Sequence, residues 1–112
     1  MSKEFKFIDH FEIKIKCKCV RCIILKRIIK AVLEEYYKAS CRFGSFNSAH
    51  EGFAVLKEEI DELWEAVKLN QNNPIRRLSL NEEAIQSTAM GLRFIYDICF
   101  KDFTKLYKRQ GV

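Results

Sequence analysis

The sequence predicts an all-α fold, a small helical bundle forming a single domain over residues 1–112. Three observations point there. One Pro and four Gly in 112 residues leave too few turn formers for a many-stranded sandwich. Apolar residues at 48% and charged residues at 31% exclude a disordered or collagen-like chain. From Val20 onward, apolar residues recur at spacings of three and four, the period of a helix with one buried face.

The first segment is the exception. Residues 11–19, Phe-Glu-Ile-Lys-Ile-Lys-Cys-Lys-Cys, alternate apolar and polar with the period of a half-buried strand. No partner strand is visible, so residues 1–19 are read as an N-terminal extension, strand-like or swapped between copies, or as the start of a helix. Ile24, Ile28 and Val32 with Leu25, Ile29 and Tyr36 then define a first helix from residue 20 to about residue 40, followed by a connection containing Gly44. Ser48 with Glu51 is a capping box that opens a second helix reaching about Leu69, and residues 70–74, with Pro74, end it. Residues 75–78 read as a connector. Ser79 with Glu82 is a second capping box, predicting a third helix from there to about Phe100, and residues 101–108 suit a short terminal helix.

The formal net charge is +5, and its distribution is uneven. Residues 1–30 hold nine Lys and Arg against three acids, whereas residues 51–65 hold six acids against Lys57. No apolar run approaches the roughly 20 residues that span a bilayer, and no signal-peptide pattern opens the chain. A cytoplasmic location without membrane contact is therefore expected. Five Cys, an odd number, suit free thiols in a reducing compartment, mostly as small buried hydrophobes.

The chemistry concentrates on the second helix. At 100° per residue Phe53, Leu56, Ile60, Leu63 and Val67 gather on one side, predicting the core face, while Glu51, Glu58, Glu59, Glu62 and Glu65 gather on the other. A solvated acidic face is the plain reading of that pattern. Against it, Glu58 with Glu62, Glu59 with Glu62, and Asp61 with Glu65 place like charges three or four apart, at roughly 0.2–0.5 kcal/mol per pair. Lys57 with Asp61 and Lys68 with Glu65 offset only part. Glu59 and Glu62 project from adjacent turns, where two carboxylates can share a hard divalent cation, and Mg²⁺ suits an incomplete carboxylate set because it takes up water and phosphate oxygens. The third helix carries Glu83, Gln86, Met90, Arg93 and Asp97 on one side and Ile85, Ala89, Leu92, Tyr96 and Cys99 on an apolar side. Packed antiparallel, the two helices can bring Glu59, Glu62 and Glu83 to one ion, with Gln86 as a neutral ligand or a hydrogen-bonding neighbour.

Residues 50–68, centred on Glu58-Glu59-Ile60-Asp61-Glu62, and residues 82–97, with Glu83 and Gln86, resemble the MazG-like branch of the all-α nucleoside triphosphate pyrophosphohydrolases. That family carries E-x-x-E followed after a gap by E-x-x-D. The resemblance covers residues 48–98, about half of the chain. It implies Mg²⁺-dependent hydrolysis of a nucleoside triphosphate to a monophosphate and pyrophosphate in nucleotide-pool clean-up, with Mn²⁺ as a substitute ion. It also implies assembly as a homodimer or homotetramer, which suits three main helices that bury little alone. The site it implies has Glu59, Glu62, Glu83 and Gln86 around the metal, Glu58 with Glu59 and Glu62 as catalytic carboxylates, and Lys57, Lys68 and Arg93 on the phosphates. Gln86 departs from the pattern by removing one charge and one strong ligand. Asp97 cannot replace it, since fourteen helical residues set it about 20 Å from Glu83. A weakened or inactive nucleotide-binding or dimerisation module is therefore the alternative.

Other signals are weaker. Cys17, Cys19 and Cys22 form C-x-C-x-x-C, but zinc and iron–sulfur sites call for four ligands, so half-buried thiols at a helix start are the favoured reading. The basic N-terminal third allows a nucleic-acid-associated adaptor, a third hypothesis that no recognition signature accompanies. His10 and His50 lack the partners of a nucleophilic triad. Trp64, at the edge of the apolar stripe, is read as core or interface.

Overall fold

The computed structural model describes residues 13–100. They form three α-helices, α1 (Val20–Phe43), α2 (Ala49–Lys68) and α3 (Arg76–Phe94), and α3 continues into a π-helical turn, Ile95–Cys99. The all-α prediction holds among the described residues, which contain no strand. Residues 13–18 take no regular structure, and among the described residues no strand lies beside them. Residues 1–12 and the terminal helix expected at 101–108 lie outside the described residues.

Helix α1 runs a turn beyond expectation and stops at Gly44, whose φ of 73° takes the chain out of the helix while its N–H still reaches the Ser40 carbonyl at 3.0 Å. Ser48 caps α2 as the sequence predicts, accepting from the Glu51 N–H at 3.1 Å. The Glu51 carboxylate reaches one residue further back than the usual box, taking the backbone N–H and the side-chain amide of Asn47 at 3.3 and 3.0 Å.

The start of α3 is a correction. Ser79 does not cap it; the helix begins three residues earlier, and Ser79 lies inside, its N–H on the Ile75 carbonyl at 2.9 Å. Asn73 does the capping work instead, its side chain accepting from the Ile75 N–H at 3.0 Å and its carbonyl from the Arg76 N–H at 3.1 Å. Pro74 presets the backbone for the first turn. Of the residues read as a connector, Ile75 is the N-cap and 76–78 are helical.

Both α1 and α2 pack on α3, which is the central element. The core is small: Phe46, Ala66, Ala89 and Met90 are its buried hydrophobic residues, joined by buried Ser87, Arg93 and Asp97. The expected core stripe of α2 is also corrected. Gly52 and Ala66 are buried and Val55, Leu56, Glu59 and Leu63 half-buried, whereas Phe53, Ile60, Trp64 and Val67 are exposed. The helix has turned Gly52 and Ala66 inward. Gly52 shows why: a Cβ there would lie 2.8 Å from Phe94 Cδ2 and 3.1 Å from Phe46 Cδ2, so α2 approaches closest where it has no side chain. On the side of α3 and its π-helical turn expected to be apolar, Ala89 is buried and Ile85 and Leu92 half-buried while Tyr96 and Cys99 are exposed, and the side expected to be polar packs as well, through Met90, Arg93 and Asp97.

That buried polar face holds the α1–α2 connection. Asp97 Oδ2 accepts the Phe46 N–H at 3.0 Å, and Arg93 Nη2 donates to the Gly44 carbonyl at 2.8 Å. The Arg93 guanidinium also lies 4.2 Å from the centre of the Phe46 ring, and Nη1 meets Met90 Sδ at 3.2 Å. Replacing Asp97 by Ala leaves the Phe46 N–H buried without an acceptor. The variant should lose about 1–3 kcal/mol of stability in urea unfolding at fixed chain concentration; an unchanged midpoint would show that Asp97 does not hold the connection.

Candidate functional site

Burial of Gly52 and Ala66 rotates α2 so that Glu59 and Glu62 look toward the first turns of α3, where Glu83 stands. One carboxylate oxygen from each of Glu59, Glu62 and Glu83 lies within 4.8 Å of the other two. The carboxylates expected from two separate helices thus converge. Glu59 Oε2 and Glu83 Oε2 are shielded from solvent and have no hydrogen-bond partner. A buried acceptor left without a donor is costly, and two such oxygens beside a third carboxylate fit a hard cation with oxygen ligands.

Electrostatics agree with the geometry. Burial, and then the charges of Glu62, Glu83, Glu58 and Glu35, push the Glu59 carboxyl above its ordinary range. Burial followed by Glu62 raises Glu83 likewise. Both groups resist carrying their charge in the folded chain, a resistance that a bound dication would remove.

Two cavities flank the cluster. The larger, of about 840 Å³, is lined by Glu35, Lys38 and Arg42 of α1, Glu58 and Glu59 of α2 and Gln86 of α3. Phe43 and Phe46 also line it. The smaller, of about 350 Å³, is lined by Glu62, Glu83 and Ser79 among others. The carboxylate cluster is the ridge between them.

The structure brings Glu58, Glu59, Glu62, Glu83 and Gln86 to one region, and it disperses the expected cations. Lys57 binds Asp61 at 2.9 Å and Lys68 binds Glu65 at 2.7 Å, both on the exposed surface of α2, and neither lines the flanking cavities. Trp64 is exposed beneath Lys68, whose ammonium lies 5.8 Å from its ring centre. Arg93 reaches the larger cavity, but it is buried and its terminal nitrogens are engaged by Gly44 and Met90. The cations that face this space are Lys38 and Arg42, which sequence reasoning missed. Their signal was present, since Glu35, Lys38, Ala39 and Arg42 recur at helical spacing on one side of α1; only the position of α3 shows that this side faces the carboxylates.

The cysteines also depart from expectation. All five are free thiols, and Cys17, Cys19, Cys41 and Cys99 are exposed with Cys22 half-buried. No helix among the described residues is long and apolar enough to cross a membrane.

No family model, curated protein or solved structure matches the chain. Function must therefore be argued from the site.

The raised carboxyls make a signed prediction. In the unfolded chain Glu59 and Glu83 titrate in the ordinary carboxylate range, near 4.3; their folded values lie higher, so their contribution to stability is full below that range and lost as pH rises through the folded values. The double variant Glu59→Gln, Glu83→Gln should therefore gain stability relative to the parent between pH 4 and pH 7. Millimolar Mg²⁺ at pH 7 should raise the melting temperature of the parent and leave the variant unmoved. Equal melting curves for both proteins, with and without Mg²⁺, would count against a cation site.

Proposed function

We propose that this chain is a Mg²⁺-dependent nucleoside triphosphate pyrophosphohydrolase of the MazG-like kind. The observation that carries the reading is the convergence of Glu59, Glu62 and Glu83, with two shielded and unpartnered oxygens, beside a cavity of about 840 Å³ that cations and aromatic rings also line. The dication, Mg²⁺ or in its place Mn²⁺, would polarise phosphate oxygens and ease ionisation of a water. Lys38 and Arg42 face the same space and supply positive charge for the remaining phosphate oxygens. Phe43, 68% exposed with Arg42 packed on its ring at 5.3 Å, offers an aromatic face to a base. Glu58, on the cavity wall next to Glu59, is placed to take the proton of a water attacking the α-phosphorus as pyrophosphate leaves.

Gln86 favours a second reading. It lines the same cavity as Glu58 and Glu59, where it brings a neutral amide to a site that a carboxylate would strengthen. On that reading the chain binds nucleotide, or only assembles, without turnover.

Assembly belongs to the proposal. Ile23, Ile24, Leu25, Ile28 and Ile29 of α1 are each more than 40% exposed, as are Phe53, Ile60 and Trp64 of α2, so a second copy would cover apolar surface that one chain leaves open. We take a homodimer as the unit, with a homotetramer as its further assembly. In sedimentation the parent should run as an oligomer at micromolar concentration, and Ile28→Glu with Ile60→Glu should run as a folded monomer; a monomeric parent would remove assembly from the proposal.

Pyrophosphate release from a panel of nucleoside triphosphates tests the activity. Turnover should need Mg²⁺, and Glu59→Gln, Glu62→Gln and Glu83→Gln should each lower kcat/KM by at least about 100-fold, the upper range for losing even an outer partner of a metal site. Absence of release in the parent combined with gain of release in Gln86→Asp would establish the second reading in place of the first.

A further inference from the structure

The first turns of α1 are exposed among the described residues. Between Val20 and Lys30 only Cys22 is even half-buried, and the sequence leading into the helix carries two more cysteines. Cys19 is the residue before the helix, extended at φ −67° and ψ 160°. Cys17 lies two residues earlier, in chain without regular structure, and Cys22 lies three residues later, brought back over Cys19 by the first helical turn. The three Sγ atoms lie within 4.8 Å of one another.

That separation suits a shared ion. Three thiolates each about 2.3 Å from a metal stand about 4 Å apart in a trigonal arrangement, so sulfurs within 4.8 Å of one another need move inward by no more than about half an ångström each. A disulfide would use two sulfurs at about 2.05 Å and leave the third without a role. Lys16, Lys18 and Arg21 stand beside the cysteines in sequence, all exposed, and their positive charge offsets that of deprotonated sulfur.

We propose that Cys17, Cys19 and Cys22 form a tri-thiolate site for a thiophilic d¹⁰ cation of the Zn²⁺ or Cu⁺ class, at the N-terminal end of α1 and separate from the carboxylate cluster. Soft sulfur ligands select such ions over Mg²⁺. Binding replaces the three thiol protons by metal–sulfur bonds, so protons are released and no electron is transferred. With Zn²⁺ the fourth position is left for water or another ligand, whereas Cu⁺ is satisfied by three sulfurs.

The full chain, reduced and kept free of oxygen, is titrated with Zn²⁺ against a chromophoric chelator, with Cu⁺ against a copper(I) chelator, and with Cd²⁺ while thiolate-to-metal absorption is followed. One ion per chain is expected, with at least tenfold weaker binding in each of Cys17→Ser, Cys19→Ser and Cys22→Ser. Cys41→Ser, Cys99→Ser and the Glu59→Gln, Glu83→Gln pair should bind as the parent does. The relative strength of the Zn²⁺ and Cu⁺ arms identifies the ion. Helical circular dichroism confirms that the serine variants fold. The proposal is overturned if the reduced chain takes up none of the three ions, if the triple serine variant binds as the parent does, or if mild oxidation gives a Cys19–Cys22 disulfide in a chain that binds no cation when reduced.

Discussion

Three carboxylates from two helices repel one another, and the packing between α2 and α3 must exceed that repulsion for the bundle to keep its register. At an effective dielectric near 20, ionised oxygens 4.8 Å apart repel by roughly 3–4 kcal/mol, less for the pairs that include exposed Glu62. Opposing this is a contact in which Gly52 lets α2 come close to Phe94 and Phe46, with Ala66 buried further along the same face. The position of Glu59 is a consequence of that contact: with Gly52 and Ala66 facing inward, residue 59, seven positions from each, must face inward as well. Any rotation that released Glu59 to solvent would push the helix surface away from Phe94.

Helix α3 treats the two ends of its polar face differently. At its C-terminal end Arg93 and Asp97 are almost wholly buried, yet Asp97 accepts from Phe46 and Arg93 donates to Gly44 while stacking on an aromatic ring. At the N-terminal end Glu83 and its neighbour Glu59 are less buried but keep shielded oxygens with no donor. One end uses polar groups to fix the connection between α1 and α2. The other holds them in mutual conflict, and strain of that kind is retained where it serves a site.

The sequence made some of this readable. The Ser48 cap is a local signal and placed the start of α2 correctly, because a hydroxyl three residues before a free N–H acts whatever the rest of the chain does. The pairing of Glu59 with Glu62 is also local, and convergence with Glu83 needed only that two helices pack antiparallel. What could not be read depends on distant neighbours. Ser79 and Glu82 have the spacing of a cap, but the Asn73–Pro74 turn had already opened the helix. Apolar periodicity gave the strong stripe of α2 as its inner face, whereas the close approach at Gly52 decides which side turns inward. Lys38 and Arg42 lie on a different helix from the carboxylates, and no spacing along the chain connects the two.

The outward stripe of α2 and the bare first half of α1 have one physical origin. A helix whose inner face is made of Gly52, Ala66 and Glu59 gains little from burial within one chain, since small residues offer little apolar area and a carboxylate opposes desolvation. The larger side chains, Phe53, Ile60 and Trp64, are left for another surface, and the five aliphatic residues of α1 from Ile23 to Ile29 add to it. A core with four buried hydrophobic residues among those described is small for a domain of this length. Covering the outer stripe in the assembly proposed above would supply the missing burial without disturbing the inner face. The strained carboxylates could then be held in place by contacts made elsewhere, and the cluster need not contribute to folding in order to persist.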